Sequence, residues 1–246
     1  LNITSNRGGV VTNGAVTSAG VLSISSKESI ELNAETNVAL TSILSVNNDN
    51  VDTNSNITIN DVFNSTGSTQ LLADGGIKIT ADVNVGDDVT TSNLVINNGE
   101  YVVAEANIAV NGLLDIDSGD EVKLATGKKI DVGLTANIDA AGFDMSNNSI
   151  LNVKGLTVIS TLGDTRLHDV NVESDIKVGA NNLVIDGVLD ASIAKLTNVN
   201  LDSVSTTTVN GSIAASGHID VDSIANTEIN GTVNSDTNLA INANTG

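Results

Sequence analysis

Apolar residues recur along this chain as couplets split by one polar residue, and the couplets themselves recur at short, nearly regular intervals. Leu22/Ile24, Ile30/Leu32 and Val38/Leu40 step by eight residues, as do Leu114/Ile116, Val122/Leu124 and Ile130/Val132. Alternation at period two with β-branched residues predicts strands with one buried and one wet face. Further couplets of this kind are Ile57/Ile59, Ile77/Ile79, Val83/Val85, Leu94/Ile96, Ile108/Val110, Val170/Val172, Ile176/Val178, Ile219/Val221 and Leu239/Ile241. Between them lie Asn, Asp, Gly, Ser and Thr, which turn a chain by adopting left-handed conformations or by hydrogen-bonding their own backbone. No helix of ten or more residues is predicted; the nearest candidate, 101–107, is short and flanked by Gly99 and by Asn111 and Gly112.

The couplet spacing drifts between about six and eight residues, which suits a three-sided coil of roughly 20 residues per turn. A 20-residue offset appears directly. Thr208-Val209-Asn210-Gly211-Ser212-Ile213 returns as Glu228-Ile229-Asn230-Gly231-Thr232-Val233, and Val110-Asn111-Gly112-Leu113-Leu114 is a looser third copy. Asn-Gly between apolar positions is also a signal for antiparallel hairpins with type I′ turns. The couplets are short for a hairpin meander, which favours coil corners. The expected fold is all-β: an elongated repetitive β-solenoid or triple-stranded β-helix, with short strands and Asn, Gly and Asp at its corners. At about 4.8 Å between stacked strands, a singly coiled chain would make about 12 turns over a length on the order of 60 Å. Polar stretches at 47–50 and 52–56 read as wider corners or small surface loops. The spacing changes after 143–156, which suggests shaft segments 1–142 and 143–246, or one continuous rod. Leu1 and Gly246 fall in mid-pattern, as expected for a piece of a longer polypeptide.

Composition narrows the picture. The apolar fraction is 40%, but it is almost all Val, Ile, Leu and Ala, with two Phe, one Tyr, one Met and no Trp. The wide core of a globular enzyme would lack its bulky filler, whereas rows of aliphatic side chains need none. A formal net charge of -20 opposes nucleic-acid phosphates and anionic membrane surfaces, so neither is an expected partner. The acidity suits a rod that must stay soluble while exposing much strand surface. Absence of cysteine removes disulfides and thiolate metal sites. No apolar run approaches the roughly 18 to 20 residues that span a bilayer as a helix.

Candidate chemistry is sparse. His168 and His218 lie fifty residues apart beside Asp169 and near Asp220, without the converging groups that a metal or catalytic role needs, and are expected at the surface. The densest acidic run is Asp115, Asp117, Asp120 and Glu121. Alternation sets Asp115 and Asp117 outward around Ile116, with Asp120 and Glu121 at the next corner, so several hard oxygens could meet one Ca²⁺. The run matches no calcium loop, and a solvated face is the expected reading. A polysaccharide-cleaving groove would need paired carboxylates and aromatic platforms, which three aromatic residues cannot supply. No catalytic residue, cofactor or enzymatic activity is expected.

Phe143-Asp-Met-Ser-Asn-Asn-Ser-Ile-Leu-Asn-Val-Lys-Gly-Leu156 resembles a segment common in tail-fibre proteins of tailed bacteriophages, departing from it at Lys154-Gly155, where the family usually continues with Ala and Pro. Ile229-Asn-Gly-Thr-Val-Asn-Ser-Asp-Thr-Asn-Leu-Ala-Ile-Asn-Ala-Asn-Thr-Gly246 is similar to a second phrase of phage fibres. The resemblance implies a structural shaft of a virion tail appendage, commonly a homotrimer, that holds a receptor-binding tip toward the host. Its partners would be its own copies, other tail proteins and a host-surface receptor bound outside this segment. Bacterial surface adhesins can share such phrases, so an extracellular adhesin or filament protein of a cell surface is the alternative.

Overall fold

The computed structural model describes residues 1–46, 55–87, 89, 91–160, 162–194 and 197–243. The polar stretch expected as a corner at 47–50, and most of that at 52–56, lies outside the described residues. Every regular element among the described residues is a β-strand, including Val102–Ala104 inside the one stretch considered for a helix. The chain forms two compact units, Leu1–Asp120 and Glu121–Gly246.

The first unit is a β-solenoid of three faces. The long face stacks Asn2–Ser5, Leu22–Ser26, Ser42–Val46, Thr69–Ala73, Leu94–Asn98 and the start of Leu114–Leu124, all parallel. A second face stacks Val10–Thr12, Ile30–Leu32, Ile57–Ile59, Ile77–Ile79 and Val102–Ala104. The third stacks Val16–Ser18, Thr36–Val38, Phe63–Ser65, Val83–Val85 and Ile108–Val110. Residues in register are 20 apart at Asn13 and Asn33, but 27 apart at Ser42 and Thr69 and 25 apart at Asp82 and Asn107. Extra residues are absorbed between strands, so the register of the faces survives them.

The second unit repeats this plan. Its long face runs from Thr135–Met145 through Gly155–Ser160, Ile176–Ala180, Val199–Ser203 and Ile219–Ser223 to Leu239–Ala243. Thr165–Leu167, Leu183–Ile185, Thr206–Val209 and Asn226–Ile229 make the second face. Lys129–Val132, Ile150–Val153, Asp169–Val172, Val188–Ala191, Ser212–Ala215 and Thr232–Ser235 make the third. Because the strands on either side of them pair in parallel, Asn210-Gly211 and Asn230-Gly231 are coil corners and not hairpin turns. The looser copy at Asn111-Gly112 serves a different corner, from the third face back to the long one.

A 20-residue turn has the same spacing of inward residues in both units. In the turn that starts at Leu22 the buried side chains are Leu22, Ile24, Ser26, Ile30, Leu32, Thr36, Val38 and then Ser42; in the second unit, where Gly217 is buried as well, they are Val199, Leu201, Ser203, Thr207, Val209, Ile213, Ala215 and then Ile219. Side chains point inward at every second position along a face, and in these two turns each corner inserts three residues between inward side chains. This corrects the couplet Val38/Leu40: Leu40 is 54% exposed, and the inward pair is Thr36/Val38. Ile116 and Ile130 are inward as expected, each 2% exposed. Burying an Ile or Leu contributes about 1.5–3 kcal/mol, so the stacked rows supply the driving force for the coil.

Several polar inward residues pair with one another inside the core. Ser42 and Thr69 share a 2.7 Å hydroxyl hydrogen bond between adjacent turns, while Ser203 with Thr207 and Ser223 with Thr227 bridge the corner from long to second face at 2.9 and 2.7 Å. In the segment with the tail-fibre resemblance, Phe143 and Met145 are fully buried and Asn148 takes a left-handed φ of 58° at the corner, a conformation Asn tolerates.

Candidate functional surface

The sequence-derived site candidates do not converge. Asp115 and Asp117 point outward beside Ile116, in register with Val95 and Asn97 of the preceding turn. Asn97 Nδ2 donates to Asp117 Oδ2 at 3.4 Å, and Asp120 is exposed further along the chain. Glu121 lies in the second unit, where its Oε2 meets Lys123 Nζ at 2.6 Å. Among the described residues no three His, Cys, Asp or Glu side chains are placed to hold a common metal ion.

The histidines occupy different corners. His168 follows the second face and His218 follows the third. His168 Nδ1 is 3.4 Å from Asp169 Oδ2, but Asp169 engages its other oxygen with the Val188 N–H at 3.0 Å. His218 Nε2 is 4.0 Å from Asp220 Oδ2, and its backbone N–H donates to Asn198 Oδ1 at 3.0 Å. Each imidazole therefore has a neighbouring carboxylate, an arrangement that by itself performs no chemistry without a converging nucleophile or metal.

A feature invisible to motif reading is a lateral groove of about 650 Å³ in the second unit. It runs along the outer row Ile159, Gly179, Asp202, Asp222 and Asn242, five positions in strict register on successive turns of the long face. Gly179 opens it, because nothing stands within 4 Å of where a Cβ would be. Val204 and Ile224, 59% and 55% exposed, form an apolar wall at the adjoining corner. Asn242 Nδ2 donates to Asp222 Oδ1 at 2.7 Å, which ties one carboxylate into a side-chain ladder. Asp202 and Asp222 are the only ionisable residues of the lining, which has no aromatic ring or imidazole. Such a surface offers apolar contact and hydrogen-bond acceptors without the stacking platform of a sugar site.

The remaining outer surface is organised by amide ladders. Asn33 Nδ2 donates to Asn13 Oδ1 at 3.2 Å, Asn60 to Asn33 at 2.7 Å, and Thr80 Oγ1 to Asn60 at 3.0 Å. On the third face Asn64 donates to Asn37 and Asn84 to Asn64, both at 2.9 Å. In the second unit Asn152 donates to Asp131 at 2.7 Å and Asn171 to Asn152 at 2.8 Å; Asn210 donates to Asp186 at 2.8 Å and Asn230 to Asn210 at 3.0 Å. In each of these ladders the later turn donates to the earlier. Asp accordingly stands at a ladder's first rung, where only an acceptor is needed.

No protein-family model, no curated protein and no solved structure matches the chain. The geometry defines a β-solenoid in each unit, and the reading of its role rests on that geometry and on the tail-fibre resemblance.

Proposed function

We propose that this chain is a structural shaft segment of a virion tail fibre, which positions a receptor-binding tip for host attachment and carries no catalytic site. The observation that supports it most is the construction of both units. Nearly every inward position goes to stacking one turn on the next, and the outward amides form ladders along the same direction. Such a chain resists bending and shear by repetition and has little machinery to spare for chemistry. The tail-fibre phrases at 143–156 and 229–246 add the virion context, and with it assembly as a homotrimer and contacts to other tail proteins.

Gold-labelled antibody against this chain, viewed by electron microscopy on native particles, tests the proposal. Label along projections from a phage tail is the expected result. Label on a cell surface or on free filaments would replace the virion reading by the adhesin one. Native mass spectrometry of the full-length protein at micromolar concentration should give a trimer mass, and a monomer would overturn the trimeric part.

A further inference from the structure

We propose that Asn13–Gly14 is a site of spontaneous covalent modification in the folded protein: a deamidation that converts Asn13 to aspartate or isoaspartate, with water as co-reactant. The chain holds five Asn–Gly pairs, at 13, 98, 111, 210 and 230. The reaction needs three things of such a pair. The glycine backbone nitrogen must be free to lose its proton and swing toward the side-chain carbon, the amide NH₂ must be free to leave, and the carbonyl oxygen gains from a donor that stabilises its developing charge.

Four pairs fail these conditions. The N–H groups of Gly99, Gly112, Gly211 and Gly231 donate to Ala73, Ser92, Ile185 and Val209 carbonyls at 3.1, 2.9, 3.0 and 3.1 Å. Their asparagines are tied down as well. Asn98 Nδ2 donates to the Tyr101 carbonyl at 2.9 Å, Asn111 to the Asp87 carbonyl, Asn210 to Asp186 at 2.8 Å and Asn230 to Asn210 at 3.0 Å.

Asn13–Gly14 meets all three. Both residues are exposed, and among the described residues no acceptor takes the Gly14 N–H or the Asn13 amide hydrogens. This freedom belongs to the corner itself: the N–H groups of Ala34, Asp61, Ala81 and Ala106, which occupy the same position in later turns, are also without an acceptor among the described residues. Asn13 Oδ1 accepts from Asn33 Nδ2 at 3.2 Å, the donor the reaction favours. In the step, deprotonated Gly14 nitrogen bonds to Asn13 Cγ, the Cγ–Nδ2 bond breaks, and ammonia departs with the proton. Water then opens the cyclic imide at either carbonyl, so the net change is loss of ammonia and gain of water. The fold can accept the product. The new carboxylate would stand at the first rung of its ladder, the place that Asp131 and Asp186 already fill in the second unit, and the space around Gly14 leaves room for the longer isoaspartyl backbone.

The test is incubation of the folded full chain in mildly alkaline buffer, with peptide mapping by mass spectrometry and enzymatic methylation of isoaspartate. Asn13 should convert at least about tenfold faster than the other four, which must wait for local opening of roughly 1.4 kcal/mol or more. In concentrated urea the five rates should converge. Gly14→Ala should slow conversion at 13 by about tenfold or more while leaving the melting temperature unchanged, since no atom crowds that position. Equal rates at all five sites in the folded chain, or a folded Asn13 as slow as Asn210, would overturn the proposal.

Discussion

The corner from second to third face is built in two ways, one in the first unit and the other at the two Asn-Gly corners of the second. In the first unit its three residues are Asn13-Gly14-Ala15, Asn33-Ala34-Glu35, Asn60-Asp61-Val62, Thr80-Ala81-Asp82 and Glu105-Ala106-Asn107. The first residue donates its N–H to a carbonyl of the turn before, as Asn33 does to Thr12 at 2.9 Å and Asn60 to Leu32 at 2.8 Å, whereas the middle residue has no acceptor among the described residues. In the second unit, Asn210 and Gly211 both donate to the Ile185 carbonyl at 2.8 and 3.0 Å, and Ser212 follows onto Gly187 at 2.9 Å. Asn230, Gly231 and Thr232 repeat this one turn later at 2.8, 3.1 and 3.1 Å. These two corners of the second unit are drawn down onto the turn before. A Cβ on Gly211 would run into the Gly187 carbonyl oxygen, and one on Gly231 into that of Gly211, whereas Gly14 has nothing within 4 Å. Glycine at this position is thus required where corners nest and dispensable where they do not. The reason is close approach, since neither Gly211 nor Gly231 has a left-handed φ.

The largest effect should be blind to this difference, because the aliphatic rows are common to both units. Ile116→Asp in the first unit and Ile130→Asp in the second would each bury an unpaired carboxylate among side chains that are fully inward. Each should cost on the order of 4 kcal/mol, read as a drop in the urea midpoint. A loss confined to one unit would mean that the two cores are not equivalent. Next comes the substitution that separates the corners. Gly211→Ala should destabilise by about 3 kcal/mol through the collision with Gly187, and Gly14→Ala by no more than about 0.5 kcal/mol. Equal midpoints for the two variants would refute the nested-corner account.

The strands are legible in the sequence because period two survives in Leu22/Ile24 or Ile176/Val178 whatever lies between. The faces are less so. Thr36, Ser42 and Thr207 point inward, yet their hydroxyls look like corner residues in a sequence, and only their surroundings inside the coil make them core. Leu40 illustrates the converse, being apolar and in step with the couplets but carried to the surface by the corner spacing. The repeat at Asn210 and Asn230 reveals the turn length, and Asn111 misleads because the same dipeptide can turn more than one corner. The groove is out of reach: it depends on Gly179, Asp202 and Asp222 falling in register across turns of unequal length, which no local pattern announces.

Ladder polarity distinguishes the first rung from the middle and yields a smaller effect. Asn210→Asp would set a carboxylate against Asp186 Oδ1, now 2.8 Å from the Asn210 amide, and remove the donor between them. At neutral pH the cost should be about 1 kcal/mol, reduced by salt because the site is exposed. Arg166 Nε, 3.6 Å from Asp186 Oδ2, offsets part of the repulsion; what remains needs both carboxylates charged, so the penalty should be present at neutral pH and fade in acid. Asn13→Asp, at a first rung, should show no such pH-dependent penalty. Urea midpoints of both variants at neutral and acidic pH decide the matter, and a matching penalty at 13 would remove the role assigned to ladder direction.

The smallest effect concerns the acidic run at the end of the first unit. Asp115 and Asp117 flank a buried isoleucine on the wet side of the long face, and the amide of Asn97 on Asp117 is a weak contact at 3.4 Å. If these carboxylates serve only to keep the surface charged, Asp115→Ala and Asp117→Ala should each change stability by no more than about 0.5 kcal/mol. Melting with and without a chelator sharpens this. A cation held by Asp115, Asp117 and their neighbours would stabilise only the folded state, so chelation would lower the parent's melting temperature and leave the Asp variants untouched. Equal melting of parent and variants in both conditions is the expected outcome. A chelator-dependent fall in the parent alone would instead make Ca²⁺ part of the structure of this turn.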